Sequence, residues 1–215
     1  MEKRVVTLAT MKGGSGKSTL AVCLAAHWMH AGKRVVLVDA DPQQSVIRWR
    51  DTGTTLEDLP CMPADDESIA TTIDGLLSGG YERVVVDTPG FRAPVTDTAV
   101  TMAGLCLVPV RPSPVDFEVA ADEVELIADL KASGSEGPAA YRFVLSQLIS
   151  GSVIGRHMRT EMQAAGYRLL RSEVVHRVAY AETALSGSTP TLSQPKGLAA
   201  FEIAALAAEV DIYLD

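Results

Sequence analysis

Residues 4–19, RVVTLATMKGGSGKST, constrain this chain more than any other stretch. A β-rich run over 4–10 ends in a turn holding three glycines, and Leu20, Leu24, Ala25 and Trp28 follow at helical spacing. A strand that feeds a helix through such a turn makes a seat for an anion. Gly13, Gly14 and Gly16 lack a Cβ, so backbone N–H groups can close around phosphate oxygens. The helix beginning near Lys17 points its unpaired N–H groups and positive dipole end at the same spot. Lys17 adds a point charge between β- and γ-phosphates, and the Ser18 hydroxyl can ligate Mg²⁺. Ser15 and Thr19 complete the phosphate-binding turn. The strict pattern G-x-x-x-x-G-K-[ST] is not met, because Met11 stands where its first glycine belongs; Gly16-Lys17-Ser18 is intact.

The rest of the chain repeats the strand–helix alternation. Strands are expected at 34–39, 59–62, 81–87, 105–110, 141–148 and 167–170. Helices are expected at 17–31, 43–51, 66–78, 94–103, 116–132, 152–165 and 197–213, with Val119, Val124, Ile127 and Leu130 as the inner stripe of the 116–132 helix. The longest loops fall near 52–58 and 186–196. Aromatics are only 5% of the residues, so the core rests on Val, Leu, Ile and Ala, as suits strands covered on both faces. The expected fold is α/β: a single doubly wound, mostly parallel sheet flanked by helices, in one domain over 1–215.

Two further strands end in acids. The second ends Asp39-Ala40-Asp41-Pro42-Gln43, and the fourth ends Val84-Val85-Val86-Asp87-Thr88-Pro89-Gly90. Ligands of parallel sheets bind at the carboxyl ends of strands, so these acids face the phosphate turn. One of the first pair could instead cap the helix that follows. Asp87 after three β-branched residues has the Walker B shape and would hold Mg²⁺ through a water. Pro89-Gly90 suits a loop that senses the γ-phosphate.

Lys12 precedes the glycine pair, giving K-G-G-x-G-K-S-T, and Asp39–Gln43 reads D-x-D-P-Q. Over nearly its whole length the chain resembles the deviant Walker A ATPases of the ParA/MinD family, and among them a small ParA-type partition ATPase. The resemblance implies a P-loop fold, ATP and Mg²⁺ as cofactors, and a homodimer formed with ATP bound. By it Lys12 reaches the partner's phosphates, Lys12, Lys17 and Asp41 are catalytic, Asp41 orients the attacking water, and Asp39 supports the Mg²⁺ shell. The segment Arg111-Pro112-Ser113-Pro114-Val115-Asp116 resembles the stretch near the base and the dimer face, or is a rigid loop capping the next helix through Asp116. Ser146-Gln147 stands where family members contact adenine.

Charge narrows the partners. The chain is acidic, net −8, and residues 201–215 carry four acids and no Lys or Arg, so a MinD-like membrane helix is disfavoured and no membrane contact is expected. Cys23, Cys61 and Cys106 are far apart, which argues against a metal cluster. Over 151–180, five Arg against two Glu make a local excess of three positive charges. Arg156, Arg159 and Arg177 are therefore candidates for non-specific DNA binding, unless they form an ordinary solvated face. The implied function is partition of plasmid or chromosomal DNA, cytoplasmic and nucleoid-associated, with hydrolysis stimulated by a ParB-like partner. The alternatives are a ParA-like ATPase that positions a protein assembly, or a metabolic P-loop ATPase.

Overall fold

The structure, a computed structural model, describes residues 4–132 and 137–215, apart from the side chain of Val119. Among the described residues seven strands form one sheet: β1 (Val5–Leu8), β2 (Val35–Asp39), β3 (Cys61–Pro63), β4 (Arg83–Asp87), β5 (Leu105–Val110), β6 (Ala140–Leu148) and β7 (Leu169–Val175). Their order is β3-β2-β4-β1-β5-β6-β7, and every neighbouring pair is parallel. The helices are α1 (Lys17–His30), α2 (Ser45–Asp51), α3 (Ile69–Ser78), α4 (Pro94–Thr101), α5 (Pro114–Ala132), α6 (Val153–Ala164), α7 (Val178–Leu185), α8 (Pro190–Ser193) and α9 (Leu198–Leu214).

Strand residues alternate between two cores, as the pleat requires. Val6, Leu8, Val35, Leu37 and Val85 pack under α1 and α9. On the opposite face Val5, Val36, Val84 and Val86 meet α3 and α4, and Val108, Phe143 and Leu145 meet α5 and α6. The central strands are therefore buried at every position, apolar except for Thr7 and the charged residues at strand ends, and the doubly wound fold read from the sequence is the fold observed. No helix among the described residues is long and apolar enough to cross a membrane.

Departures cluster at the sheet edge and near the C-terminus. β7 runs to Val175 rather than stopping at 170, because an edge strand tolerates the polar Arg171, Ser172 and Glu173. Residues 178–185 form a helix that was not expected, and the loop expected over 186–196 contains the single turn α8, opened by Pro190 at its first position. The inner stripe of α5 includes Ala120 and Leu126 beside Ile127 and Leu130, while Val124 is half-buried.

Candidate functional site

β2, β4 and β1 lie side by side, so their carboxyl ends bring three motifs together. Asp39 is in register with Asp87 on the neighbouring strand, and Leu8 is in register with Asp87 on the other side. The chain leaving β1 becomes the phosphate loop. Gly16 takes φ 98°, a left-handed conformation that swings the chain into α1. The end of β6 fixes the loop from the side: the Ser146 hydroxyl donates to the Ser15 carbonyl at 2.8 Å, and Gln147 Nε2 donates to the Gly14 carbonyl at 2.8 Å. Gln147 itself sits at φ 54°. The loop after β4 crosses at backbone distance, since a Cβ on Gly90 would lie 3.0 Å from Gly13 Cα. The result is a cleft of about 670 Å³ lined by Gly13, Gly14, Lys17, Ser18, Thr19 and Asp41, among others.

The charges in this cleft are strongly shaped by burial. Lys17 is buried, and its ammonium donates to the Lys12 carbonyl at 3.4 Å. Burial pushes its pKa down, against the carboxylates of Asp87, Glu123 and Asp41, which raise it. Asp87 is fully buried, and neither of its oxygens has a hydrogen bond of normal geometry. Burial raises it to about 7; Ser18 and Lys17 oppose the rise, and Asp39 and Asp41 add to it. An orphaned carboxylate that the Ser18 hydroxyl approaches is a donor set that suits a hard divalent cation. No cluster of three or more His, Cys, Asp or Glu among the described residues could cage such an ion, so phosphate oxygens and waters would complete its shell.

Asp39, expected in the Mg²⁺ shell, has its oxygens turned to the backbone. Oδ2 accepts the N–H groups of Val46 and Ile47 at 3.0 and 3.1 Å, and Oδ1 accepts that of Asp41 at 3.2 Å. This is the capping alternative: the carboxylate satisfies free donors at the start of α2. Asp41 lines the cleft, with its carboxylate held in place by the Gln43 N–H at 2.9 Å.

Lys12 is engaged within its own chain. Its ammonium lies 3.1 Å from Asp116 Oδ2, and Arg111 and the Ser113 hydroxyl share the same carboxylate. Burial pushes Asp116 upward, but Ser113, Lys12 and Arg111 together bring it below its ordinary range. The cap of α5 is Ser113, whose hydroxyl accepts the Asp116 N–H at 3.2 Å; the expected capping by Asp116 is not observed, because that side chain turns back to Lys12. Pro112, expected beside the nucleotide, lines neither this cleft nor the one described next, because the 111–113 turn seats Ser113 at the helix start.

Two turns along α5 stands a residue that motif reading missed. Glu123 is buried and accepts the Met11 N–H from below the phosphate loop. Burial raises it to about 7, opposed by the Met11 N–H and by Lys17. The available signal was an acid within the apolar Ala120–Ile127–Leu130 face.

A second, apolar cleft of about 240 Å³ adjoins the first, since Gly16, Thr19 and Gln147 line both. Its far walls are Trp49 from α2, Val175 at the end of β7 with His176 just after it, and Tyr180 and Ala184 from α7. The three candidate DNA contacts lie apart from the clefts or on their rim. Arg159 pairs with Glu173 at 2.7 Å and donates to the Leu170 carbonyl, tying α6 to β7. Arg177 pairs with Glu202 of α9. Arg156 is exposed, donating to the Gly151 carbonyl at 3.0 Å.

Residues 6–190 match the family described as the CobQ/CobB/MinD/ParA nucleotide binding domain. The chain is 30% identical to Protein ParA of Rhizobium radiobacter over 186 residues, covering 82% of this chain and 80% of that one. It is 31% identical to the maintenance of carboxysome distribution protein A of Halothiobacillus neapolitanus over 189 residues, covering 85% and 84%. Its fold is similar to that of a Cyanothece McdA variant solved in complex with ATP: TM-score 0.76, 17% identity, 99% of this chain and 96% of the other.

Proposed function

The chain belongs to the CobQ/CobB/MinD/ParA family of nucleotide-binding domains, and on that premise we propose that it is an ATPase switch that pairs with a second copy when ATP is bound. The observation that carries this reading is the convergence of Lys17, Ser18 and Asp41 on one cleft, with the buried Asp87 interacting with Ser18 and Lys17 behind it and Lys12 next in the chain to the lining Gly13. The triphosphate lies along the glycine turn, and the base enters the apolar cleft between Thr19, Trp49 and Tyr180. Lys17, already stripped of water, neutralises the bridging and terminal phosphate oxygens. Ser18 and Asp87 would hold Mg²⁺, which when bound neutralises charge on the β- and γ-phosphate oxygens. Asp41 sits on the open side of the cleft, where it can accept a hydrogen bond from a water placed in line with the γ-phosphate. Lys12 leaves Asp116 to reach the other copy's phosphates, so the ion pair in the lone chain is the contact that closure replaces.

The cycle positions a cargo. Bound copies hold DNA without reading its sequence, a ParB-like protein stimulates hydrolysis, and the pair separates, in the cytoplasm over the nucleoid. A relative named chromosome-partitioning ATPase Soj, from Thermus thermophilus and 25% identical over 236 residues, supports DNA as the cargo. A second reading, placement of a protein assembly, draws on the relative named for carboxysome distribution and on the carboxylates that already occupy Arg159 and Arg177.

ATP turnover measured alone, with duplex DNA, and with a candidate partner tests the proposal. Turnover should be slow alone and rise at least tenfold with the partner. Lys17→Ala should lose nucleotide binding by about a hundredfold or more. Unchanged affinity in that variant, or wild-type chains that stay single at saturating ATP, would sink the reading.

A further inference from the structure

α2 is seven residues long, and both of its ends are tied. At its start, Asp39 accepts the N–H groups of Val46 and Ile47 as well as that of Asp41, so α2 and the turn carrying Asp41 hang from one carboxylate. Gln44, at φ 50°, is the only residue between that turn and the helix apart from Pro42 and Gln43. Near its other end, Trp49 donates its indole N–H to the Ser188 carbonyl at 2.9 Å. Four residues later Gly53 meets Gly187 backbone to backbone. A Cβ on Gly53 would lie 2.4 Å from the Ser186 carbonyl oxygen, and one on Gly187 would lie 2.4 Å from Gly53 N. Such distances leave room for hydrogen alone, so the two segments touch as closely as chains can.

The 186–188 segment directly follows α7, whose Tyr180 and Ala184 wall the apolar cleft across from Trp49. Whatever fills that cleft presses on α7 and Trp49 together, and these are joined to α2 through two contacts. A packed, short helix transmits such a load as a rigid body. We propose that α2 is a strut that couples occupation of the base cleft to the placement of Asp41, with Trp49 and the Gly53–Gly187 contact as its positioning residues. The inference rests on the nucleotide reading given above and deepens it: the base helps to set the group that orients water.

The prediction is a split between turnover and affinity. Gly53→Ala lies outside both clefts and should separate α2 from residues 186–188. Its kcat for ATP, expressed per binding site counted by stoichiometric titration with a fluorescent ADP analogue, should fall about tenfold while KM stays within about twofold. Trp49→Phe keeps an aromatic ring in the cleft wall but loses the indole N–H and the five-membered half of the ring; it should shift kcat the same way by about threefold, and it carries the test if Gly53→Ala does not fold. An unchanged kcat in either folded variant, or a raised KM with kcat intact, overturns the strut and leaves Trp49 as cleft wall only. A wild-type chain that hydrolyses no ATP would overturn the nucleotide reading instead.

Discussion

Glu123 is a carboxyl group enclosed beneath a loop built to attract anions, and its titration should be visible in the stability of the whole chain. Its pKa in the folded protein is about 7, raised chiefly by burial, above the ordinary glutamate range. Between the unfolded value and 7 the folded chain therefore holds a proton that the unfolded chain has lost. The stability this gives is complete at low pH and disappears as pH rises through 7. Glu123→Gln keeps an oxygen for the Met11 N–H and stays neutral throughout. At pH 8 the variant should melt roughly 3–6 °C above wild type, and the gap should close toward pH 5. Asp87 titrates over the same window in both proteins, so it is the difference between the two melting curves that reports Glu123. Parallel curves would mean that Lys17 keeps Glu123 ionised at every pH measured.

At the scale of elements, α9 shows how an acidic helix can be a docking device. Glu202 pairs with Arg177, and Glu209 accepts the N–H groups of Arg171 and Ser172 at 2.8 Å each. Asp211 receives Arg83 at 2.8 Å, Lys33 at 3.4 Å and the Trp28 indole at 3.3 Å, while Asp215 also reaches Arg83. Arg83 is nearly enclosed and lies over the Trp28 ring, so losing Asp211 leaves a buried guanidinium half-paired. Asp211→Ala should cost about 2 kcal/mol and lower the melting temperature by roughly 4–8 °C. Nucleotide affinity should not change, because these contacts gather at the opposite end of β4 from Asp87; a parallel loss of affinity would show that α9 helps to shape the site. What the sequence made legible follows the same division. β1, β2, β4 and β5 were readable because strands covered on both faces are continuous runs of Val and Leu, and the phosphate turn was readable because its chemistry lies within a few consecutive residues. α7 and α8 owe their shape to partners far along the chain. Lys12 with Asp116, and Met11 with Glu123, are separated by 104 and 112 positions, and no local pattern announces such pairs.

For the molecule as a whole, net charge sets the terms on which two copies can meet. Each chain carries −8, and each bound nucleotide adds further negative charge, so approaching copies repel over tens of ångströms at low ionic strength. The contact proposed to reward closure, Lys12 against the other copy's phosphates, would be short-ranged and sheltered from solvent once formed, and salt would weaken it little. Raising ionic strength from about 20 to 150 mM cuts the screening length from roughly 20 Å to 8 Å. Dimerisation in a slowly hydrolysed ATP analogue, followed by sedimentation velocity, should therefore tighten several-fold over that range. DNA affinity of the same species, followed by fluorescence anisotropy, should move the other way, because arginines on the surface release counterions when they meet phosphates. The opposed trends separate the two steps: a protein whose pairing and DNA binding weaken together with salt is pairing through exposed charge, and a Lys12 enclosed between two copies cannot be the group that holds them.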